Sequence, residues 1–237
     1  MEDLTIKLTK TDWQSVSESL NESGFAIVPK LLCGSQCLEL INNYDTQSLY
    51  RKTVSMKRHR FGSGEYKYFK YPLPKIIQTL RETTYPYLAP IANLWMKTLK
   101  IDTSFPKTFE GLQSLCNQHN QLKPTPLILK YKKDGFNALH QDLYGEIYFP
   151  LQTVLFLNEP DKEYTGGEFV LIQQTPRAQS KATVLRPKKG DMLIFTTNFR
   201  PVKGTKGYYR GTIKHGVSKL TSGERHTLGI IFHEATS

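Results

Sequence analysis

Apolar residues recur at helical spacing through the first 120 residues. Trp13, Val16 and Leu20 fall on one face of a predicted helix that has Thr11 as its N-cap and ends near Gly24. The same spacing predicts further helices over about residues 35–41, 74–99 and 108–118, with a short strand at 25–28.

Two of these helices carry more specific predictions. Leu38 in the first and Leu94 in the second fall on the apolar faces, so both are expected in the core. Pro86 and Pro90 are expected to break the helix over 74–99, because proline lacks the N–H that a helix interior needs.

Beyond residue 125 the pattern changes to short segments in which apolar and polar side chains alternate. In the last segment Leu228, Ile230 and Phe232 form one stripe, and Arg225 and Thr227 form the opposite one. Predicted strands cover residues 126–131, 152–157, 168–172, 183–186, 192–196, 213–218 and 227–233. Closely spaced short strands are typical of a sandwich or barrel. We predict a mainly β fold with helical support (α+β): a double-stranded β-helix, or jelly roll, with the N-terminal helices packed on one sheet.

The change of pattern divides one structural domain into two regions. Residues 1–120 form a helical support region with a basic loop at 51–75, and residues 121–237 form the β-helix core. At 38% hydrophobic residues, a chain of 237 residues can bury one substantial core. Three cysteines argue against a disulfide framework. No apolar run approaches the roughly 20 residues of a membrane span, and the N-terminus lacks a signal-peptide pattern, so we expect a cytoplasmic protein.

Positive charge is concentrated in two stretches of a chain whose net charge is +11. Residues 51–75 contain eight Lys or Arg and one acid, and residues 186–214 have the same balance. Such stretches favour an acidic partner, either nucleic acid or an acidic peptide.

A metal site is indicated by His140-x-Asp142, because side chains two residues apart on a strand leave on the same face. His215 supplies a third ligand. Two histidines and one carboxylate leave open positions on an octahedral ion, as in non-haem Fe(II) oxygenases. Downstream, Arg225 can pair with a carboxylate through two hydrogen bonds, and Thr227, two residues later, can add a donor.

These residues resemble the Fe(II)/2-oxoglutarate-dependent dioxygenases, and residue 131 onwards is similar to their prolyl-hydroxylase-type members. Beyond the ligands, the resemblance rests on short motifs: Tyr131-x-x-x-Gly135, Gly166-Gly167-Glu168, G-D-M-L-I-F at 190–195 and Arg225-x-Thr227. A bacterial subgroup described as nucleic-acid oxygenases is similar over almost the whole chain, including F-G-S-G-E-Y-K-Y-F-K-Y-P-L-P at 61–74 and H-T-L-G-I-I-F-H at 226–233.

The resemblance implies that His140, Asp142 and His215 hold Fe(II), which binds 2-oxoglutarate and O₂. It implies that Arg225, assisted by Thr227 and Tyr131, binds the far carboxylate of 2-oxoglutarate. Oxidative decarboxylation then yields succinate and CO₂, and the substrate is hydroxylated, or demethylated when the oxidised carbon is an N-methyl group.

The substrate is less defined by the sequence. Cations that bind phosphates and aromatic faces that stack on bases alternate in residues 56–73, as in single-strand or flipped-base sites. Candidate substrate residues are Arg58, Arg60, Phe61, Tyr66, Tyr68, Asn137 and Arg210. A solvated basic loop anchored by its aromatic residues explains the same pattern.

Three functions are compatible with these patterns. The first is a dioxygenase acting on nucleic acid, and the second is the same chemistry on a protein side chain, such as prolyl hydroxylation of an acidic peptide. The third is a jelly-roll module that binds without catalysis. Metal-dependent succinate release separates the first two from the third, and a steep fall of affinity with salt favours nucleic acid over peptide.

Overall fold

Five α-helices lie in the first half of the chain in the computed structural model, which describes residues 3–175 and 177–237. They are α1 (Leu4–Thr9), α2 (Trp13–Ser23), α3 (Gly34–Asn42), α4 (Lys75–Thr98) and α5 (Phe109–Gln118). The carboxylate of Asp12 accepts a hydrogen bond from the Ser15 N–H at 3.0 Å, and Gly24, with a φ of 80°, ends α2. The prediction of Thr11 as the N-cap is therefore wrong by one residue. None of the described helices is both long and apolar enough to span a membrane.

The long helix α4 continues through Pro86 and Pro90, so the predicted breaks are wrong. Each proline deprives the carbonyl four residues earlier of its helical donor. Glu82, Pro86 and Pro90 are all exposed, so water can satisfy the carbonyls of Glu82 and Pro86.

Two leucines that the helical pattern assigns to the core are exposed instead. Leu38 and Leu94 keep 53% and 51% of their surface accessible. On α3 the buried positions are Cys37 and Leu40, and on α4 the nearby Trp95 takes the buried position. Each helix buries a narrower stripe than its apolar residues suggest.

Fourteen strands form two antiparallel sheets in the described part of the chain. The strands of the large sheet, in spatial order, are β1 (Phe25–Val28), β11 (Met192–Thr196), β7 (Leu151–Phe156), β14 (Leu220–Ile230), β5 (Leu127–Lys132), β4 (Glu65–Phe69) and β2 (Tyr50–Ser55), with β8 (Tyr164–Gly166) paired to β14. The small sheet runs β10 (Lys181–Leu185), β9 (Phe169–Gln174), β13 (Gly207–Val217), β6 (Phe136–His140) and β3 (Gly62–Ser63), with β12 (Phe199–Gly204) paired to β13.

Alternation along the strands builds a core on each side of the large sheet. On β11, Met192 and Ile194 pack with the helices, whereas Leu193 and Phe195 pack with Phe169 of the small sheet. Each fully buried side chain of this kind contributes about 1.5–3 kcal/mol. The two facing sheets with helices on one outer face form the predicted jelly roll.

Residues 50–69 differ from the predicted helical and loop structure. Strands β2 and β4 form a hairpin that joins the large sheet, with Tyr66 opposite Leu129 of β5. Between them, the carbonyl of Phe61 accepts a hydrogen bond from the Ala138 N–H at 2.8 Å, which ties this segment to the middle of β6. Part of the N-terminal region thus belongs to the large sheet, and the division into two regions near residue 120 stays a prediction.

Candidate metal centre and its pocket

A cavity of about 360 Å³ lies between the two sheets. Its walls come from β5, β7 and β14 of the large sheet and from β6, β9 and β13 of the small one. His140, Asp142 and His215 line the cavity together with Arg225 and Thr227. Its volume lies in the range of about 300–1,000 Å³ that is usual for small-molecule sites. The residues predicted to bind metal and co-substrate therefore share one cavity.

The register of the small sheet brings the two histidines together, although 75 positions separate them in the sequence. His215 of β13 is the direct partner of His140, the last residue of β6. Asp142 follows two residues later. One potential ligand atom from each of these residues lies within 4.8 Å of the other two. A single ion can therefore contact all three.

The contacts of the two rings indicate which of their nitrogens would face a bound metal ion. Nδ1 of His140 lies 2.8 Å from the carbonyl of Ala138. Because a carbonyl only accepts, that Nδ1 carries the proton and Nε2 keeps its lone pair. Nε2 of His140 lies 3.6 Å from one oxygen of Asp142, and Nε2 of His215 lies 3.3 Å from the other. Both Nε2 atoms thus face the carboxylate.

Asp142 is oriented by two neighbours. The hydroxyl of Tyr144 donates to its Oδ1 at 2.7 Å, and Nε2 of Gln152 donates to its Oδ2 at 2.9 Å. Burial raises the pKa of Asp142, but the hydrogen bonds of its carboxylate with His215 and Gln152 override this and hold the pKa well below its usual range. The carboxylate is therefore ionised at neutral pH, as a metal ligand must be.

Two aromatic rings hold His215 in place. Its ring is nearly parallel to that of Phe169, with centroids 5.8 Å apart, and meets the ring of Phe195 at 62° and 4.8 Å. Burial lowers the pKa of His215, which keeps the ring neutral and able to bind metal. The sequence gives no signal for these rings or for Tyr144, because their contacts follow from sheet packing and not from spacing.

Arg225 is a buried cation without a charged partner, with only 1% of its surface exposed. Among residues 3–175 and 177–237, none of its three guanidinium nitrogens finds a hydrogen-bond acceptor. The rings of Tyr131, Phe156 and Tyr164 surround it at 5.3–5.9 Å. A buried unpaired charge is costly unless a ligand pairs with it. The site is thus suited to an anion.

Tyr131 and Thr227 lie beside Arg225 on the same two strands. Tyr131 of β5 is the direct partner of Arg225 on β14, and both Tyr131 and Thr227 line the cavity. Burial raises the pKa of Tyr131 above its usual value, so its hydroxyl stays protonated and can donate.

Gly167 makes room for the stem of Arg225. Its φ of 65° favours glycine, and a Cβ there would lie 2.6 Å from the side chain of Leu220 and 3.1 Å from Cδ of Arg225. The Gly-Gly motif, which the sequence indicates as a turn, therefore also shapes the anion site.

Four of the predicted substrate residues line the same cavity: Arg60, Phe61, Tyr66 and Asn137. Phe61 is 47% exposed, and its ring stacks on that of His59 with centroids 5.3 Å apart. The partly exposed ring of Phe61 and the cationic side chain of Arg60 therefore both lie at the cavity.

The other three predicted substrate residues do not line the cavity. Arg58 is exposed on the short 3₁₀ helix Met56–His59. Tyr68, two residues beyond Tyr66 on β4, is buried against the rings of Tyr66 and Tyr144. Arg210, on β13, lies over the ring of Phe199 at 5.2 Å.

The remaining histidines lie outside the cluster of His140, Asp142 and His215. Nδ1 of His226 lies 3.2 Å from the side-chain oxygen of Asn158, and Nδ1 of His233 accepts a hydrogen bond from the Phe149 N–H at 3.1 Å. His59 stacks on Phe61, and His119 contacts Glu146. The sequence predicts a strand that includes His233. Strand β14 ends at Ile230, however, so His233 lies beyond it.

Acid is expected to destabilise the protein through the buried His226 and His233. Burial lowers the pKa of His226 to about 4 and that of His233 to about 3. In the unfolded chain both titrate near pH 6.5, so below that pH the unfolded state binds more protons, and stability falls at about 1.4 kcal/mol per pH unit for each group.

Urea unfolding between pH 7.5 and 5 measures this slope. The variant His233→Asn keeps an acceptor near the position of Nδ1 but cannot titrate, so its slope is expected to be smaller than that of the wild type. Equal slopes would mean that His233 is not the source of the acid sensitivity.

The chain is similar to known proteins over most of its length. The model of a family named Oxygenase-NA, described as oxygenases catalysing oxidative methylation of damaged DNA, matches residues 64–235. An uncharacterized protein of Mycobacterium tuberculosis H37Rv, Rv2227, is 39% identical over 198 residues, which cover 84% of this chain and 80% of the relative.

Solved structures with the same fold include two bacterial enzymes. An oxidoreductase of the 2OG-Fe(II) oxygenase family from Burkholderia pseudomallei has a TM-score of 0.57 at 15% identity, over 96% of this chain and 95% of its own. A prolyl-4-hydroxylase from Pseudomonas putida has a TM-score of 0.52 at 16% identity, over 94% and 98%. At sequence identities this low, the structural similarity shows that the fold is shared.

Proposed function

The chain belongs to the Oxygenase-NA family of oxygenases, and we propose that it is an Fe(II)- and 2-oxoglutarate-dependent dioxygenase that oxidises nucleic acid. The observation that carries the cofactor assignment is the buried, unpaired guanidinium of Arg225 in the same cavity as three metal-competent side chains.

The donor set fits iron. His140 and His215 would bind through imidazole nitrogens and Asp142 through its carboxylate, a set that leaves coordination positions open for co-substrate and O₂. Gln152 and Tyr144 keep the carboxylate aimed at the two rings. Such outer partners orient metal ligands and tune their basicity.

The anion site fits 2-oxoglutarate. One carboxylate would pair with Arg225, assisted by the hydroxyls of Tyr131 and Thr227, while the 2-oxo acid end faces the three ligands. When bound, iron and 2-oxoglutarate together activate O₂, with decarboxylation to succinate and CO₂ and oxidation of a substrate C–H bond. The buried aromatic walls around Arg225 exclude water and strengthen its ionic contact.

Nucleic acid is the substrate class that the surroundings favour. The family is described as acting on damaged DNA, and this chain has a net charge of +11. At the cavity, Arg60 can bind a phosphate, the exposed face of Phe61 can stack on a base, and the amide of Asn137 can hydrogen-bond to a base edge. A buried base pocket reached by an extruded or unpaired nucleotide accounts for this combination.

Succinate release measured with different candidate substrates tests which substrate class the protein oxidises. Iron-loaded protein with 2-oxoglutarate and O₂ is expected to release succinate in proportion to oxidised or demethylated nucleotides when given methylated single-stranded oligonucleotides. Acidic proline-containing peptides serve as the alternative, because prolyl hydroxylases share the fold. Product formation on the peptides alone would replace nucleic acid with protein as the substrate. No succinate with any substrate would support a binding module without catalysis.

A further inference from the structure

Strands β12 and β13 extend beyond the small sheet as a two-stranded ribbon. Between residues 207 and 211, β13 pairs with β12, whereas its pairing with β9 begins at Thr212 and with β6 at His215. The ribbon turns between Gly204 and Gly207, which face each other. At about 3.3 Å per residue, its tip lies roughly 25–30 Å from His215 along β13.

The ribbon and its surroundings are basic without compensation. Residues 192–223 contain six Lys or Arg and no Asp or Glu. Arg200 is satisfied by Gln173 and by the carbonyl of Asn21, and Lys219 pairs with Asp134. The remaining four cations make no ion pair within the described residues, and they are Lys203, Lys206, Arg210 and Lys214.

The register of β12 and β13 shows which side chains share each face of the ribbon; one face is packed and the other is exposed. Lys203 lies opposite Tyr208, so these two share a face with Arg210, two residues further along β13. Tyr208 is 55% exposed. On the other face a Cβ added at Gly211 would lie 2.5 Å from Val202, so that face is filled by its own side chains. The open face therefore presents an aromatic ring between two cations.

The open face continues to the cavity along β13. His215 points into the cavity, so the even-numbered residues, from Tyr208 to Gly216, lie on the outer side of the small sheet. Leu139 lines the cavity, is exposed and lies on this outer side, because a Cβ on Gly216 would meet it at 3.3 Å. The cavity thus reaches the outer side at Leu139, and Lys214, Arg210 and Tyr208 follow from there.

We propose that this track, consisting of Lys214, Arg210, Tyr208 and Lys203, binds the single-stranded nucleic acid that flanks the nucleotide in the cavity. The inference rests on the proposed function and adds to it the path of the strand outside the cavity. The three cations bind successive phosphates, and the ring of Tyr208 stacks on an unpaired base. A duplex would use the cations alone, since its bases are already stacked.

Fluorescence anisotropy with a labelled 16-nucleotide single strand tests the track. Tyr208→Ala is expected to raise the Kd about 5- to 100-fold, the range for loss of one base–aromatic stack. The double variant Lys203→Gln/Arg210→Gln is expected to weaken binding and to lower the slope of log K against log salt by about 1.4, at 0.7 per phosphate contact. The matched double variant Lys97→Gln/Lys107→Gln removes two exposed lysines elsewhere and is expected to bind as the wild type does.

The outcomes separate this proposal from the proposed function. Thermal unfolding confirms that each variant is folded. If wild type binds the strand and the track variants bind equally well, the track is wrong and the nucleic-acid assignment stands. Equal affinity for duplex, with Tyr208→Ala unchanged, would exclude single-strand stacking. If the wild type binds no nucleic acid and turns over only peptides, both proposals fail.

Discussion

Replacing Arg225 with Met is expected to raise the Kd for 2-oxoglutarate at least about 100-fold, because two charge-assisted hydrogen bonds at about 1.5–3 kcal/mol each are lost. The fold is expected to be as stable as before or more stable. Arg225 is buried and unpaired in the described structure, so its removal eliminates a desolvation cost and breaks no contact with an acid. Isothermal titration under anaerobic conditions gives the Kd, and urea unfolding gives the stability.

Arg81 is the matched control, because it is the other fully buried arginine. Its guanidinium donates to Glu234 at 3.1 Å and to the carbonyl of Phe232 at 2.8 Å. Arg81→Met leaves the Glu234 carboxylate buried without its cation, so we expect a loss of about 3–5 kcal/mol of stability. If Arg225→Met were destabilised as strongly as Arg81→Met, Arg225 would be structural. An unchanged Kd would place the co-substrate elsewhere.

Replacing Asp142 with Ala is expected to lower Fe(II) affinity and succinate production by more than about 100-fold, beyond the 10- to 100-fold that loss of an outer partner costs. The carboxylate supplies the negative charge between His140 and His215, and without it two neutral rings remain. Metal content after dialysis and the rise in Tm on adding metal measure the loss independently of activity.

Tyr144→Phe provides the graded control. It removes the hydrogen bond to Oδ1 and leaves the ligand in place, so a loss of about 10- to 100-fold is expected. His59→Ala, at an exposed histidine away from the three ligands, is expected to bind metal as the wild type does. Full metal binding by Asp142→Ala would contradict the assignment of this cluster.

The grouping of the candidate site residues could be predicted in part, because it depends on short spacings. His140 and Asp142 are two residues apart, as are Arg225 and Thr227, and alternation along a strand places each pair on one face. The proximity of His215 to His140, which precedes it by 75 residues, could not be derived from spacing. It depends on the pairing of β6 with β13 in the structure, although the family resemblance already implies that His215 joins the other two residues.

The hairpin of residues 50–69 could not be predicted because its pattern is not that of an ordinary strand. Lys67 is buried at 3% exposure, where a sequence pattern expects an exposed charge. Its ammonium donates to the carbonyl of Tyr44 at 3.0 Å and lies 4.0 Å from that ring. The buried ammonium of Lys67 is thus hydrogen-bonded to a residue 23 positions away. The local pattern of polar and apolar residues cannot predict such a contact.

The contacts that orient Asp142 could not be predicted for a related reason. Tyr144 lies in a loop, and Gln152 lies on the fully buried strand β7. Each donates a hydrogen bond to a different oxygen of Asp142. Neither spacing nor polarity separates them from structural residues. Among the predicted substrate residues, Tyr66 of β4 and Asn137 of β6 reach the cavity, as do Arg60 and Phe61 just before β3. Tyr68 lies on the same face of β4 as Tyr66, but it is buried against the rings of Tyr66 and Tyr144.

Anaerobic addition of Fe(II) and 2-oxoglutarate is the most direct test of the central claim, that one cavity holds both. A weak visible charge-transfer band of the iron–2-oxoglutarate chelate is expected with the wild type. The band should be lost in His140→Ala and reduced at limiting 2-oxoglutarate in Arg225→Met. Absence of the band in folded, metal-loaded wild-type protein would contradict the dioxygenase assignment.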